Sequence, residues 1–254
     1  MMERDFTLRK YAELCNTLLD SEYQILTVLS CLENNKKIEK FAILRHDVDV
    51  SAEKALVIAG LERSLGLKST YYFRYPRTFH PEIIKRISSM GHEVGYHYEV
   101  LDKTKGNPEE AIQLFENELE EFRKICDVKT ICMHENPLSK HIDLNLWGEY
   151  DFRDYGILGE AYLSLDYNDV FYFSDTGRTW GAKYKIKDFV DIQNEYSTVV
   201  SKTDDLINLV KEQKLDKLCL LTHPKRWNDE YTAWLHELIF QNIRNIPKVV
   251  ISWF

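Results

Sequence analysis

No Cys-x-x-Cys spacing occurs among the five cysteines, Cys15, Cys31, Cys126, Cys132 and Cys219. Their odd number and wide separation exclude zinc ribbons, thioredoxin-like redox pairs and a disulfide scaffold, and predict free thiols in a reducing compartment. No run approaches the roughly 18 consecutive apolar residues of a membrane span. The opening decapeptide MMERDFTLRK lacks the apolar stretch of a secretory signal, so a cytoplasmic address is expected. No Gly-x-Gly-x-x-Gly follows a strand-like run and no Walker-type loop is present, so neither nucleotide-binding signature has its phosphate cradle. Positive charge is also in deficit. Lys and Arg number 33 against 41 Asp and Glu, a formal charge of −8, which disfavours broad binding to nucleic acid or to an anionic membrane. Repeats, low-complexity tracts and Gly/Ser linkers are missing too. The chain therefore reads as one domain over residues 1–254, with an N-terminal helical extension over about 1–35.

What is present fits a soluble globular protein: 254 residues, 44% hydrophobic and 29% charged. A chain of this length buries about three quarters of the surface exposed by its unfolded form, so it needs no structural metal or disulfide. Leu8, Tyr11, Leu14, Cys15, Leu18 and Leu19 recur at helical spacing. Phe41–Leu44, Thr70–Phe73, His92–His97, Thr130–Met133, Val170–Phe173 and Lys217–Thr222 read as strands. Between them, Ser51 caps a helix from Ala52, Pro81 opens one closed by Gly91, and Pro108 opens a long one to about Ile125. Helices are also expected over 204–214 and 227–245, whereas 138–165 reads mostly as loop. Alternating strands and helices imply a parallel sheet, favouring a closed or nearly closed (β/α) barrel over a flat doubly wound sheet.

In such folds the chemistry collects where strands end. Those ends carry Asp47 and Asp49, Arg74, His97 with Glu99, His134, Asp175 and His223. Any one of these is more often structural than functional. Several on one rim point to a site, because buried ionisable groups without partners cost several kcal/mol. Asp47-Val-Asp49 follows the first strand, and a bend there lets both carboxylates serve one pocket, one holding a cation and the other taking a proton. His97 and Glu99 are donors suited to Zn²⁺ or a similar ion. Tyr72 and Phe73 read as core, while Tyr98 and Trp180 stay open between core and sugar stacking. Arg74, Arg153 and Arg178 are candidates to pair with a substrate phosphate or carboxylate.

Leu44-Arg-His-Asp-Val-Asp49, Gly91-His-Glu-Val-Gly-Tyr-His97 and Leu220-Leu-Thr-His-Pro224, in that order, resemble the polysaccharide deacetylase family, the NodB-homology fold or carbohydrate esterase family 4. The resemblance runs from about Phe41 to Trp227. It implies a distorted (β/α)7 barrel and metal-assisted removal of an N- or O-acetyl group from an amino sugar or polysaccharide precursor. By that resemblance Asp47 is the general base, Asp49 and His97 are metal ligands, His223 is the general acid, Asp175 orients His223, and Trp180 walls the pocket. Two departures make the chain atypical. Val48 separates aspartates that are adjacent in the family, and Leu101 stands where the family places a second histidine, leaving Glu99 or His134 to complete the ligand set. The family's Arg-containing motif has no clean match near Met133–Pro137. The implied cofactor is a divalent metal, Zn²⁺ first. The implied partner is a carbohydrate, an amino sugar free or linked to nucleotide or lipid, with Tyr98, Arg74, Arg178 and Trp180 as substrate contacts. Two other readings stay open: a metallo-phosphohydrolase, and a non-catalytic carbohydrate-binding member of the same fold.

Overall fold

The computed structural model describes residues 4–34, 38–134, 136, 139–181, 184, 190 and 200–251. Strands β1 (Gln24–Leu26), β2 (Phe41–Val48), β3 (Thr70–Phe73), β4 (Glu93–Tyr98), β5 (Thr130–Met133), β6 (Gly159–Glu160), β7 (Phe171–Ser174) and β8 (Lys217–Thr222) form one sheet. Seven of them follow the order β6-β5-β4-β3-β2-β8-β7, and every pairing is parallel. β1 lies along Phe41–Ile43, on the edge of β2 that β3 takes over from Arg45. The result is the distorted (β/α)7 barrel expected from the sequence. It stays open between β6 and β7, which do not pair among the described residues.

Side-chain alternation along the strands divides the core in two. Phe41, Ile43, Tyr72, Cys132, Tyr172, Cys219 and Leu221 fill the barrel. Ala42, Leu44, Tyr71, Phe73, Tyr96, Tyr98, Ile131 and Leu220 point outward to the helices. These helices are α1 (Leu8–Asp20), α2 (Val28–Asn34), α3 (Ala52–Ser64), α4 (Pro81–Ser89), α5 (Val100–Lys103), α6 (Pro108–Arg123), α7 (Thr203–Lys211) and α8 (Tyr231–Ile251). Thr7 caps α1, Ser51 caps α3 and Asn107 caps α6, each accepting from backbone N–H groups of the first turn. Gly95 faces the barrel interior. A Cβ there would lie 2.3 Å from the Tyr72 ring and 2.8 Å from the Thr130 carbonyl, so the bare backbone makes room for the ring.

Three expectations are corrected. The first strand does not stop at Leu44 but runs through Arg45, His46 and Asp47, because each of these charges has a partner. Residues 138–165 include 3-10 turns at Asp143–Gly148 and Phe152–Tyr155 and the short strand β6. The last helix starts at Tyr231, since Pro224–Arg226 first makes a 3-10 turn and Trp227 is buried.

On the helix side of β2 lies a buried polar cluster. His46 meets Thr222 Oγ1 at 2.6 Å and Glu62 Oε1 at 2.8 Å. Tyr11, Tyr71 and Ser69 donate their hydroxyls to the same carboxylate. Burial opposes the Glu62 charge, yet His46 more than offsets it, and the carboxyl falls to about 2.

Candidate active site

β2 ends at Val48, and Asp49 begins the turn into α3. Asp49 Oδ1 lies 3.6 Å from His97 Nε2 and 3.6 Å from His134 Nε2, and Oδ2 lies 3.7 Å from His223 Nε2. Three imidazoles from β4, the end of β5 and the end of β8 thus surround one carboxylate. Oδ1 is out of solvent and makes no hydrogen bond. Burial works against the Asp49 charge, but the three histidines hold the carboxyl well below its usual range.

His97 is held from behind by a hydrogen bond, as His223 is by Asp175, whereas His134 Nδ1 has a carboxylate neighbour without a hydrogen bond. His97 Nδ1 is 2.9 Å from the Cys132 carbonyl oxygen, which sets Nδ1 as the donor and turns the Nε2 lone pair towards Asp49 when the ring is neutral. His134 Nδ1 is 3.2 Å from Glu99 Oε2. Glu99 also accepts from Arg74 Nη2 and lies 3.7 Å from Lys103 Nζ. Burial opposes its charge, but His134 and Arg74 bring its carboxyl down to about 2. Glu99 therefore meets the histidine cluster through His134.

Asp47 points into the barrel, where Arg45 grips it with two hydrogen bonds, Nε to Oδ1 at 3.0 Å and Nη2 to Oδ2 at 2.8 Å. Burial raises the Asp47 carboxyl, but Arg45 and His97 outweigh it and leave the group ionised. Both residues project from the same face of β2, two positions apart, so this pairing follows from strand alternation. The His97 Nε2 to Asp47 Oδ2 distance is 3.6 Å, the same as to Asp49 Oδ1. Burial lowers the His97 pKa, and the two aspartates reverse this and raise it above the ordinary value. Burial dominates at His134 and lowers its pKa.

Asp175, just after β7, is fully buried beneath His223. Its Oδ1 meets His223 Nδ1 at 2.6 Å and Arg226, while Oδ2 accepts from the His223 backbone N–H at 3.0 Å and from the Trp227 indole at 2.9 Å. Burial opposes the Asp175 charge, and Arg226 and His223 hold its carboxyl far below the ordinary range. Arg226 escaped the sequence reading, although its signal, three positions after His223, was available.

The substrate contacts expected from the sequence fare differently. Tyr98 is fully buried on the helix side of β4, where its hydroxyl accepts from the Trp147 indole at 2.7 Å. Trp180 is also fully buried, donating to Thr203 Oγ1 at 3.0 Å. Neither offers a face to a sugar, and both expectations are corrected. Arg74 stays beside the site through Glu99. Arg178 lies over the Phe6 and Trp234 rings and donates to the Arg226 carbonyl oxygen. Arg153 pairs with its neighbour Asp151 on the surface.

Two donor sets can be tested for a metal. Asp47, His97 and Cys132 form the one trio among the described residues whose donor atoms all lie within 4.8 Å of one another. Arg45 fills that space, donating to Asp47 and to Cys132 Sγ at 2.6 Å, and burial pushes the thiol pKa well up. A cation there would have to displace a guanidinium, so this trio does not fit. Asp49, His97 and His134 form a more open set. Donors 2.0–2.1 Å from a shared zinc stand roughly 3.3–3.6 Å apart. The two 3.6 Å separations from the orphaned Oδ1 match that spacing, but this set is not among the trios whose donors all lie within 4.8 Å, so the two imidazole donors stand further apart than that. The carbonyl behind His97 is a usual support of a ligating imidazole, whereas Glu99 lies 3.2 Å from His134 Nδ1 without a hydrogen bond. One carboxylate and two imidazoles suit a divalent ion in donor type, and the two rings would have to draw together to share one.

No protein-family model and no curated protein sequence matches the chain. Among solved structures, the chain is similar to a CE4 family pseudoenzyme from Bacillus anthracis, with 14% identity, a TM-score of 0.43, and coverage of 81% of this chain but 60% of that one. It is also similar to the CE4 domain of a multidomain xylanase from the hindgut metagenome of Trinervitermes trinervoides, with 18% identity, a TM-score of 0.39, and coverage of 85% and 83%. A third likeness is to the peptidoglycan deacetylase PdaC from Bacillus subtilis, with 14% identity, a TM-score of 0.38, and coverage of 85% and 98%.

Proposed function

We propose that the chain is an atypical polysaccharide deacetylase of the NodB-homology class, a metal-dependent hydrolase that removes an acetyl group from an amino sugar. The observation that carries this reading is the orphaned Oδ1 of Asp49 facing His97 and His134, with the His223–Asp175 pair 3.7 Å from its other oxygen. Asp49, His97 and His134 would hold the ion, zinc by the choice of one carboxylate and two imidazoles. A bound divalent ion polarises a carbonyl and lowers the pKa of its water towards ~7.

The remaining steps belong to the chain's own residues. Asp47, kept ionised by Arg45, is the acceptor for the proton of the attacking water. With His223 Nδ1 donating to Asp175, Nε2 is left directed into the site, 3.7 Å from Asp49. Protonated there, His223 donates to the leaving amine, which otherwise cannot depart.

A second reading, a non-catalytic glycan binder, draws on the two-bond grip of Arg45 on Asp47, which weakens a base. A two-metal phosphohydrolase is disfavoured, because a second ion beside Asp47 would meet Arg45. The reading includes a cytoplasmic setting, in keeping with five cysteines that form no disulfide. No helix among the described residues is long and apolar enough to cross a membrane.

The test is acetate release by zinc-loaded protein from N-acetylated chito-oligosaccharides, UDP-N-acetylglucosamine and a lipid-linked acetylated sugar, beside phosphate release from p-nitrophenyl phosphate. Acetate release that disappears in Asp49→Ala supports the deacetylase. Phosphate release alone overturns it, and tight glycan binding without turnover supports the second reading.

A further inference from the structure

Among the described residues, large apolar side chains left in solvent gather on one element. Five of the ten, Tyr231, Ile239, Phe240, Ile243 and Ile246, lie on α8. This helix reverses the usual arrangement. Its buried face carries Gln241 and Asn245, where Gln241 donates to Asn245 Oδ1 and Asn245 donates to the Gly177 carbonyl oxygen. The opposite face carries Ile239, Ile243 and Ile246, exposed by 53%, 59% and 63%. A surface helix normally hides its apolar stripe and shows its polar one, so a stripe turned outward marks an interaction surface.

Spacing and charge identify the occupant. His236, Ile239, Ile243 and Ile246 follow intervals of three, four and three, and the sequence adds Val250 four positions on. That alternation is the seam by which one helix packs along another, and β-branched side chains suit it. A lipid surface suits it less. Helices that lie in a membrane interface carry Lys and Arg on the polar face, whereas the polar face of α8 is packed on the protein and the formal charge is −8. Charge also changes sign along the helix: Asp229 and Glu230 precede it, and Arg244 and Lys248 stand in its second half. An antiparallel copy of the same helix meets acid with base and opposes the two helix dipoles, while a parallel copy sets like against like.

We propose that α8 pairs with α8 of a second copy, antiparallel about a two-fold axis at the level of Gln241, so that the protein forms a homodimer. The seam is then self-complementary, as a two-fold interface requires. Ile239 packs on Ile243 of the second copy, and His236 on its Ile246. Phe240, which stacks on His236 and lies under the Arg244 guanidinium, flanks the axis. Helices about 30 Å long make an interface below the standard ~1,600 Å², so a dissociation constant on the order of 10 µM is expected. The pairing does not depend on the hydrolase reading.

Sedimentation equilibrium on the full chain from about 1 to about 300 µM should show monomer giving way to dimer. Ile243→Glu should weaken pairing at least about tenfold and leave the melting temperature at 1 µM unchanged, since Ile243 is exposed in the monomer. Ile246→Ser should act in the same direction, and Val57→Glu, equally exposed on α3, should leave the dimer intact. Mixing Ile243→Glu with Ile239→Lys should restore a one-to-one pair, because those positions face each other in this register. A chain that stays monomeric to 300 µM, a dimer that survives both Ile243→Glu and Ile246→Ser, or restoration by Ile243→Lys in place of Ile239→Lys would each overturn the proposal. So would binding of monomer to phosphatidylcholine–phosphatidylglycerol vesicles that Ile243→Glu abolishes, which would assign the stripe to lipid.

Discussion

Asp49 Oδ1 is equidistant, at 3.6 Å, from the Nε2 atoms of His97 and His134, two rings that reach it from neighbouring strands. The sequence interval to Leu101 suggested a vacant ligand position. The fold instead brings His134 from the end of β5 to the same oxygen. One divalent ion per chain is therefore expected by elemental analysis, with zinc affinity falling at least about a hundredfold in Asp49→Ala and in His134→Ala. Glu99→Gln, which removes the charge beside His134, should cost about 10–100-fold.

Metal affinity should also rise with pH. The aspartates raise the His97 pKa above the ordinary imidazole value, so below that raised value a proton competes for the ligand nitrogen. Each pH unit in that acid range should change affinity by about tenfold for the one proton displaced. Titration with a competing chelator between pH 5.5 and 8 measures the slope, and a flat profile would exclude His97 as a ligand.

Arg45→Met should be strongly destabilising, because it leaves Asp47 ionised in the barrel without its counter-charge. Breaking a buried pair from one side costs about 3–5 kcal/mol. Chemical denaturation would measure this loss. The double variant Arg45→Met with Asp47→Leu should recover much of the stability while remaining inactive.

Asp175→Asn keeps the shape but removes the charge that holds His223 and Arg226. Acetate release should fall by about 10²–10⁴, the usual worth of a positioned proton-transfer group. Zinc affinity should stay close to wild type, since Asp175 touches none of the proposed ligands directly. A matched loss of zinc would assign Asp175 to the metal instead.

Glu62 gives a pH signature for stability. Its carboxyl lies near 2 in the fold against 4.5 as a free group, so its contribution is complete above about 4.5 and is lost as pH falls towards 2. Glu62→Gln should lower stability at pH 7 by about 1–3 kcal/mol, because the donors around it lose their acceptor. Thermal melts from pH 7 to 3 should show a shallower acid limb in Glu62→Gln than in the wild type.

Much of this architecture could be read from residue order. Hydrophobic runs located six strands, and the polar residues at their ends, Asp49, His97, His134, Asp175 and His223, come together as strand-end residues of a parallel barrel do. Tyr98 was misjudged as a rim residue although parity carries the answer: if His97 faces inward, Tyr98 faces the helices. β1 and β6 were missed because three- and two-residue strands leave no periodicity, only a place in the sheet. Trp180 lies beyond local reasoning, since its burial depends on α7 and on Trp227 from remote parts of the chain.

The consecutive ionisable residues Arg45, His46 and Asp47 also make the central strand's alignment nearly all-or-none. A slip by one position would drive a guanidinium and a carboxylate among the helices and a lone imidazole into the barrel lumen, stranding every one of them. Misaligned pairings of β2 are thereby penalised far more heavily than an all-aliphatic strand would penalise them, and the same charges that equip the pocket also proofread the sheet that builds it.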